Sequence, residues 1–465
     1  MVRLVITADM VMCPRYATLS YCWGNAEFIK LKQENIEDFQ RNIPFEKLCK
    51  TWKDAIFIAQ HLGLEYIWID ALCIIQDSDE DWRSEASTMC DVYLHSRINI
   101  AASAAVDGSK GCFVDRDVTP IQRIRVPLTV DDQRRYFDIV CSRAATNGLE
   151  NSHLSSRAWV VQERFLARRT LHFSHSQVFW ECQDKIACET YPTRVSEILF
   201  NGDLQHLRRD DTDLLVIWAK LVCYYSSCKL TYYTDKLVAI SGVVKYLQKK
   251  LGQKYIAGLW AGSLLTQLSW KREYLAKCQS RPTTYQAPSW SWASINTKVL
   301  MPPIIAVGPQ GEFSTFVTVI EVRTTPAGED LYGQLSEGVL ELQCRYIIEC
   351  PILIEAEEFC YRRIRFGEKE LPCTLVWDAK PEVDKKIYFL PMFDDGEISG
   401  IFLESISDFK LGYFRRQGFF NFDRWNTEDF YELVKMPDMK PPDSIYQEYA
   451  GVDANNNDLY NIVII

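Results

Sequence analysis

The stretch YIWIDALCIIQDSDEDWRSEASTMCDVYLHSRINIAASA, residues 66–104, decides the fold class. It begins with a β-rich run, YIWID (66–70), and ends with a second, RINIAASA (97–104). Between them, Ser78 has the form of a helix N-cap with Asp81 three residues later, which predicts that a helix begins there. A strand, a crossover helix and a second strand indicate two parallel strands of one sheet.

One charge in this helix is out of place. At helical spacing, Trp82, Ala86 and Met89 form an apolar stripe, and Glu85 falls on it. A carboxylate that faces a core is costly unless it is paired, protonated or lines a cavity. Two explanations therefore remain open: an ion pair, for which the candidates are Arg15, Arg97 and Arg157, or a carboxylate that belongs to a site.

The residues before this stretch extend the same pattern. YATLSY (16–21) predicts a first strand, and TWKDAIFIAQHLG (51–63) predicts a helix that is capped by Thr51 and Asp54 and ends at Gly63. The resulting β-α-β-α-β order predicts an α/β fold, in which the N-terminal part is a parallel, doubly wound sheet with flavodoxin-like strand order.

The remainder of the chain divides into regions of different pattern. After 118, polar and apolar residues alternate around one helix, SSRAWVVQERFLA (155–167), and an α+β region is expected. Residues 203 to 275 are mainly helical in pattern, and a β-rich part begins at APSWSWAS (287–294). We therefore predict three regions, 1–200, 201–295 and 296–465, with the β-rich C-terminal region packed on the rest.

Composition excludes several classes of function. The 465 residues include 52 basic and 62 acidic side chains, so the net charge is −10, and no strongly basic run suggests nucleic acid or anionic lipid as a partner. The first residues do not have the form of a signal peptide. The longest apolar run, LLVIWAKLVCYY (214–225), is too short to span a bilayer. A cytoplasmic protein is expected.

Cysteine and histidine spacing does not favour a metal site. Many of the 16 cysteines lie in apolar runs, as Cys73 does, where a thiol packs as a small hydrophobic group. His172-x2-His175, Cys182-x5-Cys188 and Cys223-x4-Cys228 lack the spacing of zinc sites, so no metal is expected. The absence of a G-x-G-x-x-G sequence and of a P-loop excludes an ordinary dinucleotide fold and a P-loop NTPase.

The predicted sheet brings a candidate crevice together. In open parallel sheets, ligands bind outside the carboxyl ends of the strands. Ser20, Trp23 and Gly24 follow the first strand, Asp70 ends the second, and Glu85 lies early in the next helix. These residues also have ordinary structural explanations: Asp70 as a turn former, Trp23 as core, Cys73 as packing rather than a nucleophile, and Glu85 as one partner of a buried ion pair.

Several blocks resemble one known family, the fungal heterokaryon-incompatibility (HET) domain proteins. The blocks are PRYATLSYCWG (14–24), DAIFIAQHLGLEYIWIDALCIIQD (54–77), DWRSEASTMCDVYLHSRINIAASA (81–104), GCFVDRD (111–117), SSRAWVVQERFLARRTLHF (155–173), FWEC (179–182), LTYYTDKLVAISGV (230–243), YIAGLW (255–260) and APSWSWAS (287–294). They occur in the same order as in the family and cover about residues 14 to 295. Beyond 300 the match is loose.

This resemblance implies a fungal intracellular protein of non-self recognition and regulated cell death. HET domains are also distantly similar to Toll/interleukin-1 receptor (TIR) domains, some of which cleave NAD with a glutamate in an Asp-Trp-x-x-Glu sequence. Asp81-Trp82-Arg83-Ser84-Glu85 has this form. The resemblance thus implies that Glu85 is catalytic and that NAD is a substrate rather than a bound cofactor.

The remaining site assignments follow from position in the crevice. We expect Trp23 to stack on a base or on nicotinamide, Ser20 and Asp70 to hold ribose hydroxyls, and Gly24 to allow close approach of the backbone. Trp82 would pack beside Glu85 and lower the local dielectric, and Arg157 would meet a phosphate.

Two rival functions stay open at this point. The chain could be a non-catalytic signalling module that self-associates as a homo-oligomer. It could also be another enzyme, for example one of fungal secondary metabolism, that uses the same scaffold.

Overall fold

The structure is a computed structural model of the full chain. It describes residues 1–7, 10, 12–116, 124–139, 148–195, 213–302, 314–345, 347–350, 361–366, 369–381, 386–406, 411–424, 427–434, 445–454 and 456–465. The chain forms two compact units. The first comprises the described residues of Met1–Thr212, Cys228–Leu230 and Val238–Tyr246, and the second those of Asp213–Ser227, Thr231–Leu237 and Leu247–Ile465.

The described α-helices are α1 Ile36–Arg41, α2 Lys50–His61, α3 Asp70–Cys73, α4 Asp79–His95, α5 Ala158–Leu166, α6 Leu214–Tyr225, α7 Ser241–Leu251, α8 Leu264–Gln267 and α9 Thr427–Leu433. Single 3₁₀ turns occupy Gln33–Asn35, Phe45–Lys47, Leu154–Ser156, Tyr233–Asp235, Val238–Ile240, Ala261–Ser263 and Trp292–Ser294.

The strands up to residue 200 are β1 Tyr16–Ser20, β2 Tyr66–Trp68, β3 Ile98–Ala101, β4 Ile124–Val130, β5 Gln133–Ile139, β6 Arg169–Phe173, β7 Val178–Cys182 and β8 Ile186–Cys188. The later strands are β9 Tyr255–Ile256, β10 Leu259–Trp260, β11 Lys271–Arg272, β12 Val299–Leu300, β13 Ser314–Thr315, β14 Val317–Pro326, β15 Leu335–Cys344, β16 Ile348–Cys350, β17 Tyr361–Phe366, β18 Lys369–Trp377, β19 Ile387–Asp394, β20 Ile398–Ser405, β21 Tyr413–Phe422, β22 Glu448–Val452 and β23 Asp458–Ile464.

A six-stranded sheet organises the first unit, with the order β2-β1-β3-β6-β7-β8. The strands β2, β1, β3 and β6 are parallel to one another, and β7 and β8 continue the sheet in antiparallel fashion. The predicted parallel sheet is therefore confirmed for four strands, and the sheet as a whole is mixed. The predicted α/β class and the β-rich later part of the chain are likewise observed.

The core of the first unit lies around β1, β3 and α2. Alternate residues of the parallel strands and one face of α2 supply it, as expected for strands covered by a helix. Its fully buried members include Ala17, Trp52, Ala55 and Ile100. The edge-to-face contact of Trp52 with Tyr21 places this core directly beneath the end of β1.

Local sequence signals at the helix ends have mixed outcomes. Ser78 caps α4 and accepts a hydrogen bond from the Asp81 amide at 3.2 Å, as predicted. Gly63 follows α2 with a φ of 71°, a left-handed conformation that glycine favours, so the predicted stop is confirmed. The predicted capping box at Thr51 and Asp54 is wrong, because α2 begins at Lys50 with Cys49 as its N-cap. Both side chains instead accept amides of the following loop, from Gly111 and Cys112.

The second unit is dominated by an eleven-stranded, largely antiparallel sheet. Its main path is β13-β19-β20-β21-β23-β15-β14. A buried ion pair joins Arg416 of β21 to Asp378, with Nε and Oδ2 2.9 Å apart, and the guanidinium lies 3.6 Å from the centre of the Trp270 ring. No described helix is long and apolar enough to cross a membrane.

Candidate functional site

The carboxyl ends of β1 and β3 mark the switch point of the first sheet. Strand β1 has β2 on one side and β3 on the other, so the connection from β2 to β3 crosses over β1 and the direction of strand addition reverses there. Such a point opens a crevice at the carboxyl edge. Ser20 ends β1 here, and its hydroxyl exchanges hydrogen bonds with the Asn99 amide of β3. This pair fixes the floor of the site.

Asp70 and Trp23 are held together above this floor. The indole N–H of Trp23 donates to Asp70 Oδ2 at 2.9 Å, and the Ala71 amide donates to Oδ1 at 2.7 Å. Asp70 is half-buried at the start of α3. Burial raises the pKa of its carboxyl, while the charge of Arg157 and the Trp23 hydrogen bond oppose the rise.

Arg157 stands at the N-terminal end of α5. A parallel bridge to Lys229 and the Ala158 amide, which donates to the Lys229 carbonyl at 3.0 Å, fix this end of the helix. The guanidinium donates to the carbonyl of Tyr21 in the loop after β1. Among the described residues it forms no ion pair with a carboxylate, yet its charge acts on both Asp70 and Glu163.

Glu163 is the site residue that the sequence prediction missed. It lies on α5, six residues after Arg157. The residue is only 8% exposed, and its Oε2 accepts no hydrogen bond from any described residue. Burial raises the pKa of Glu163 to about 7, and the charge of Asp70 acts in the same direction. Ser20 and Arg157 favour the ionised form and limit the rise. At neutral pH this carboxyl can therefore both hold and release a proton.

A signal for Glu163 was present in the sequence. The run AWVVQERFL places this carboxylate between Val160, Val161 and Phe165, which are all buried. The criterion that singled out Glu85, a charge among apolar neighbours of a helix, applies equally well here.

Glu85 is partly exposed on α4. Burial raises the pKa of its carboxyl, and Asp81, one turn earlier, adds to the effect. The charges of both Asp70 and Glu85 act on the Cys73 thiol and raise its pKa. In the described part of the chain, Glu85 forms no ion pair with Arg15, Arg97 or Arg157.

The other two predicted site residues have definite neighbours. Trp82 meets Trp159 edge to face at 6.3 Å between ring centroids, so α4 packs on the helix that carries Glu163. Gly24 has a φ of 58°, and a Cβ there would lie 2.4 Å from Cβ of Asp107. The close approach at Gly24 thus involves the loop after β3.

The thiols and histidines offer no second centre of chemistry. Burial raises the pKa of Cys73 to about 12, which keeps it a neutral thiol and agrees with a packing role. His172 lies in a buried network in which its Nε2 is 2.9 Å from Glu181 Oε2 and its Nδ1 is 3.3 Å from Ser103 Oγ. Across the described residues, no group of three or more His, Cys, Asp or Glu side chains is arranged for a metal ion.

Among the described residues of the second unit, Lys236 carries a buried amine. Lys236 is 4% exposed and donates to the carbonyl of Ile295, with its Nζ 5.5 Å from the centre of the Trp292 ring. Burial lowers the pKa of Lys236 to about 7. Lys236 lies in the second unit, whereas the candidate site residues above lie in the first.

Comparison with known proteins identifies one family in the first unit. The model of the family described as "Heterokaryon incompatibility protein (HET)" matches residues 16–163. The resemblance to HET domains is thereby confirmed over this part of the chain, which extends from the first residue of β1 to Glu163. No curated protein and no solved structure matched.

Proposed function

We propose that the crevice at the carboxyl end of β1 and β3 is a TIR-like active site that hydrolyses NAD at the bond between nicotinamide and ribose. In a fungal cell, loss of NAD would make the protein the effector of an incompatibility response that ends in cell death. Support comes from the HET match over 16–163 and from a cluster of one arginine and two carboxyls at the switch point.

The chemistry of this bond suits carboxylates. Nicotinamide carries a positive charge in NAD and leaves as a neutral base, so the departing group needs no general acid. Positive charge develops on the ribose, where a nearby carboxylate stabilises it. Water then adds to the ribose carbon and loses a proton, and the products are nicotinamide, ADP-ribose and one proton. The site therefore needs a fixed negative charge and a base.

Asp70 and Glu163 fit these two roles. Trp23 and the Ala71 amide hold the Asp70 carboxylate in place, so it supplies a fixed negative charge beside the ribose. Glu163, whose pKa of about 7 lies near physiological pH, takes the proton from water. We assign that proton to Oε2 of Glu163, a buried oxygen that accepts no hydrogen bond from any described residue.

Positively charged groups fit the pyrophosphate. Arg157 has no carboxylate partner among the described residues and lies beside both acids. Lys30 Nζ is 4.6 Å from the centre of the Trp23 ring, so it places a second positive charge beside Trp23. Trp23 donates a hydrogen bond to Asp70, and Lys30 lies over one face of its ring, so Trp23 positions these two groups. A base or nicotinamide ring could stack only on the other face of the indole. Glu85 would bind ribose hydroxyls from α4.

The observation that carries the proposal is the juxtaposition of Asp70, Glu163 and Arg157. Purified protein, alone and fused to an oligomerising partner, should convert NAD to nicotinamide and ADP-ribose, measured by chromatography. We expect Asp70→Asn to lower kcat by 10²-fold or more, on the order of what one electrostatic catalytic group contributes. Glu85→Gln should also lower turnover, whereas Glu80→Gln, an exposed change on the same helix, should not.

Two results would count against these assignments. If neither form of the wild-type protein releases nicotinamide, the NAD reaction is wrong. If the protein is active and Glu85→Gln turns over NAD as fast as Glu80→Gln does, Glu85 has no role in the reaction, and Asp70 and Glu163 suffice.

A further inference from the structure

The hairpin formed by β4 and β5 is a separate, exposed feature of the first unit. The two strands pair in register from Ile124↔Ile139 to Val130↔Gln133, and they form a sheet of their own. In the described part of the chain neither strand pairs with a third. A lone two-stranded hairpin is marginally stable in water, and its unpaired backbone groups are a template for another strand.

The two edges of this hairpin are not equivalent. Asp131 and Asp132 have φ values of 52° and 58°, so a two-residue turn closes the hairpin and Val130 and Gln133 form a hydrogen-bonded pair. Counting back from that pair, residues 125, 127 and 129 of β4 and residues 134, 136 and 138 of β5 direct their backbone groups outward. Pro127 has no N–H, so the β4 edge is blocked against a further strand. The β5 edge keeps its N–H groups, and no described strand pairs with it.

The β5 edge is complementary to itself. If β5 pairs antiparallel with a second β5 at the register of full overlap, Tyr136 lies on the two-fold axis. Arg134 of each copy then lies opposite Asp138 of the other, and the outward-directed backbone groups meet. Asp138 already pairs with Arg125 at 2.9 Å, so each carboxylate would lie between two guanidinium groups. Opposite charges across such a pair stabilise it, and like charges weaken it.

We propose that β5 is a homodimerisation edge, at which two copies of this chain join their hairpins into one four-stranded sheet. A symmetric contact of this kind closes on itself, so it gives a dimer and no fibre. The area of two short strands is small, which makes the dimer weak and dependent on concentration. The proposal does not depend on the proposed reaction, because no residue of the crevice takes part.

Charge reversal with rescue tests this register. Sedimentation velocity over a range of concentrations should show the wild-type chain in a monomer–dimer equilibrium. Arg134→Asp alone and Asp138→Arg alone should each sediment as monomers. An equimolar mixture of the two variants should recover the dimer, because each reversed charge then meets its opposite. That recovery also shows that both variants are folded.

Arg135→Asp is the matched control, since it reverses a neighbouring charge of the same strand. The side chain of Arg135 lies on the opposite face of the hairpin from Arg134 and Asp138, where its cross-strand neighbour is Leu128, so its reversal should leave the wild-type equilibrium unchanged. The proposal is overturned if the wild type is monomeric throughout, if Arg134→Asp dimerises like the wild type, or if the mixture stays monomeric. Equal loss of dimer in Arg135→Asp would also overturn it, since that result shows that the opposed charges of Arg134 and Asp138 do not decide the contact.

Discussion

At the scale of single residues, the candidate site depends on the carboxyls of Asp70 and Glu163, both of which are desolvated by burial, and the charge of Asp70 raises the pKa of Glu163. Glu163 is enclosed, and Asp70, which keeps some exposure, holds the better hydrogen bonds. The environments of the two acids differ, and pairs of this kind commonly divide into a fixed charge and a proton carrier. The positive charge of Arg157 lowers the pKa of both carboxyls and so favours their ionised forms.

Glu163 should make the stability of the protein depend on pH. The pKa of this carboxyl rises from about 4.5 in the unfolded chain to about 7 in the fold, so the folded protein binds the proton more tightly. Its contribution to the free energy of unfolding is therefore complete below pH 4.5 and is lost as pH rises through 7. At about 1.4 kcal/mol per pKa unit, the loss is up to roughly 3 kcal/mol.

Replacing Glu163 with Gln should remove this dependence. We expect Glu163→Gln to be more stable than the wild type at pH 8 and close to it at pH 4.5, as measured by urea unfolding at the two pH values. A constant difference between the two proteins across this range would show that Glu163 does not titrate in the fold.

At the scale of elements, α5 connects the crevice to the sheet. Glu163 faces the site, and the next residue, Arg164, binds Glu181 of β7 through two hydrogen bonds of 2.7 and 3.1 Å. His172 of β6 binds the same carboxylate. This buried network fixes the helix against β6 and β7, and with it the position of Glu163.

Removing the shared carboxylate should therefore be costly. Glu181→Ala leaves a buried guanidinium without its main partner, and we expect a loss of about 3 to 5 kcal/mol in the free energy of unfolding. Glu189→Ala is the matched control, since its ion pair with Arg116 is partly exposed, and it should cost about 1 kcal/mol or less. Equal losses in thermal or urea unfolding would contradict a structural role for the network.

Sequence patterns predicted the local elements of the first unit but not the contacts between distant segments. The order of strands and helices up to β3 follows from periodicity and caps, which are local. The capping box predicted at Thr51 and Asp54 is wrong because side chains that can cap a helix can also accept amides of a loop. The loop whose amides they accept lies some 60 residues away in the chain. Likewise, Asp70, Arg157 and Glu163 come together because of how α5 packs against the sheet. This tertiary packing involves residues far apart in the chain, so it cannot be predicted from the pattern of one segment.

At the scale of the whole molecule, the residues of the proposed site lie in one unit. Ser20, Trp23, Asp70, Arg157 and Glu163 all belong to the first unit and to the matched family segment, 16–163. The division into regions 1–200, 201–295 and 296–465, and the location in the cell, stay predictions. The hairpin edge lies in the same unit and offers a way for two copies to meet.

The most direct test is the release of nicotinamide from NAD at pH 8 by the wild type, by Glu163→Gln and by Glu80→Gln, with folding of each protein checked by circular dichroism. The account predicts that Glu163→Gln loses 10²-fold or more in kcat, a typical contribution of a general base, and that Glu80→Gln matches the wild type. Turnover by Glu163→Gln at the wild-type rate would contradict the account.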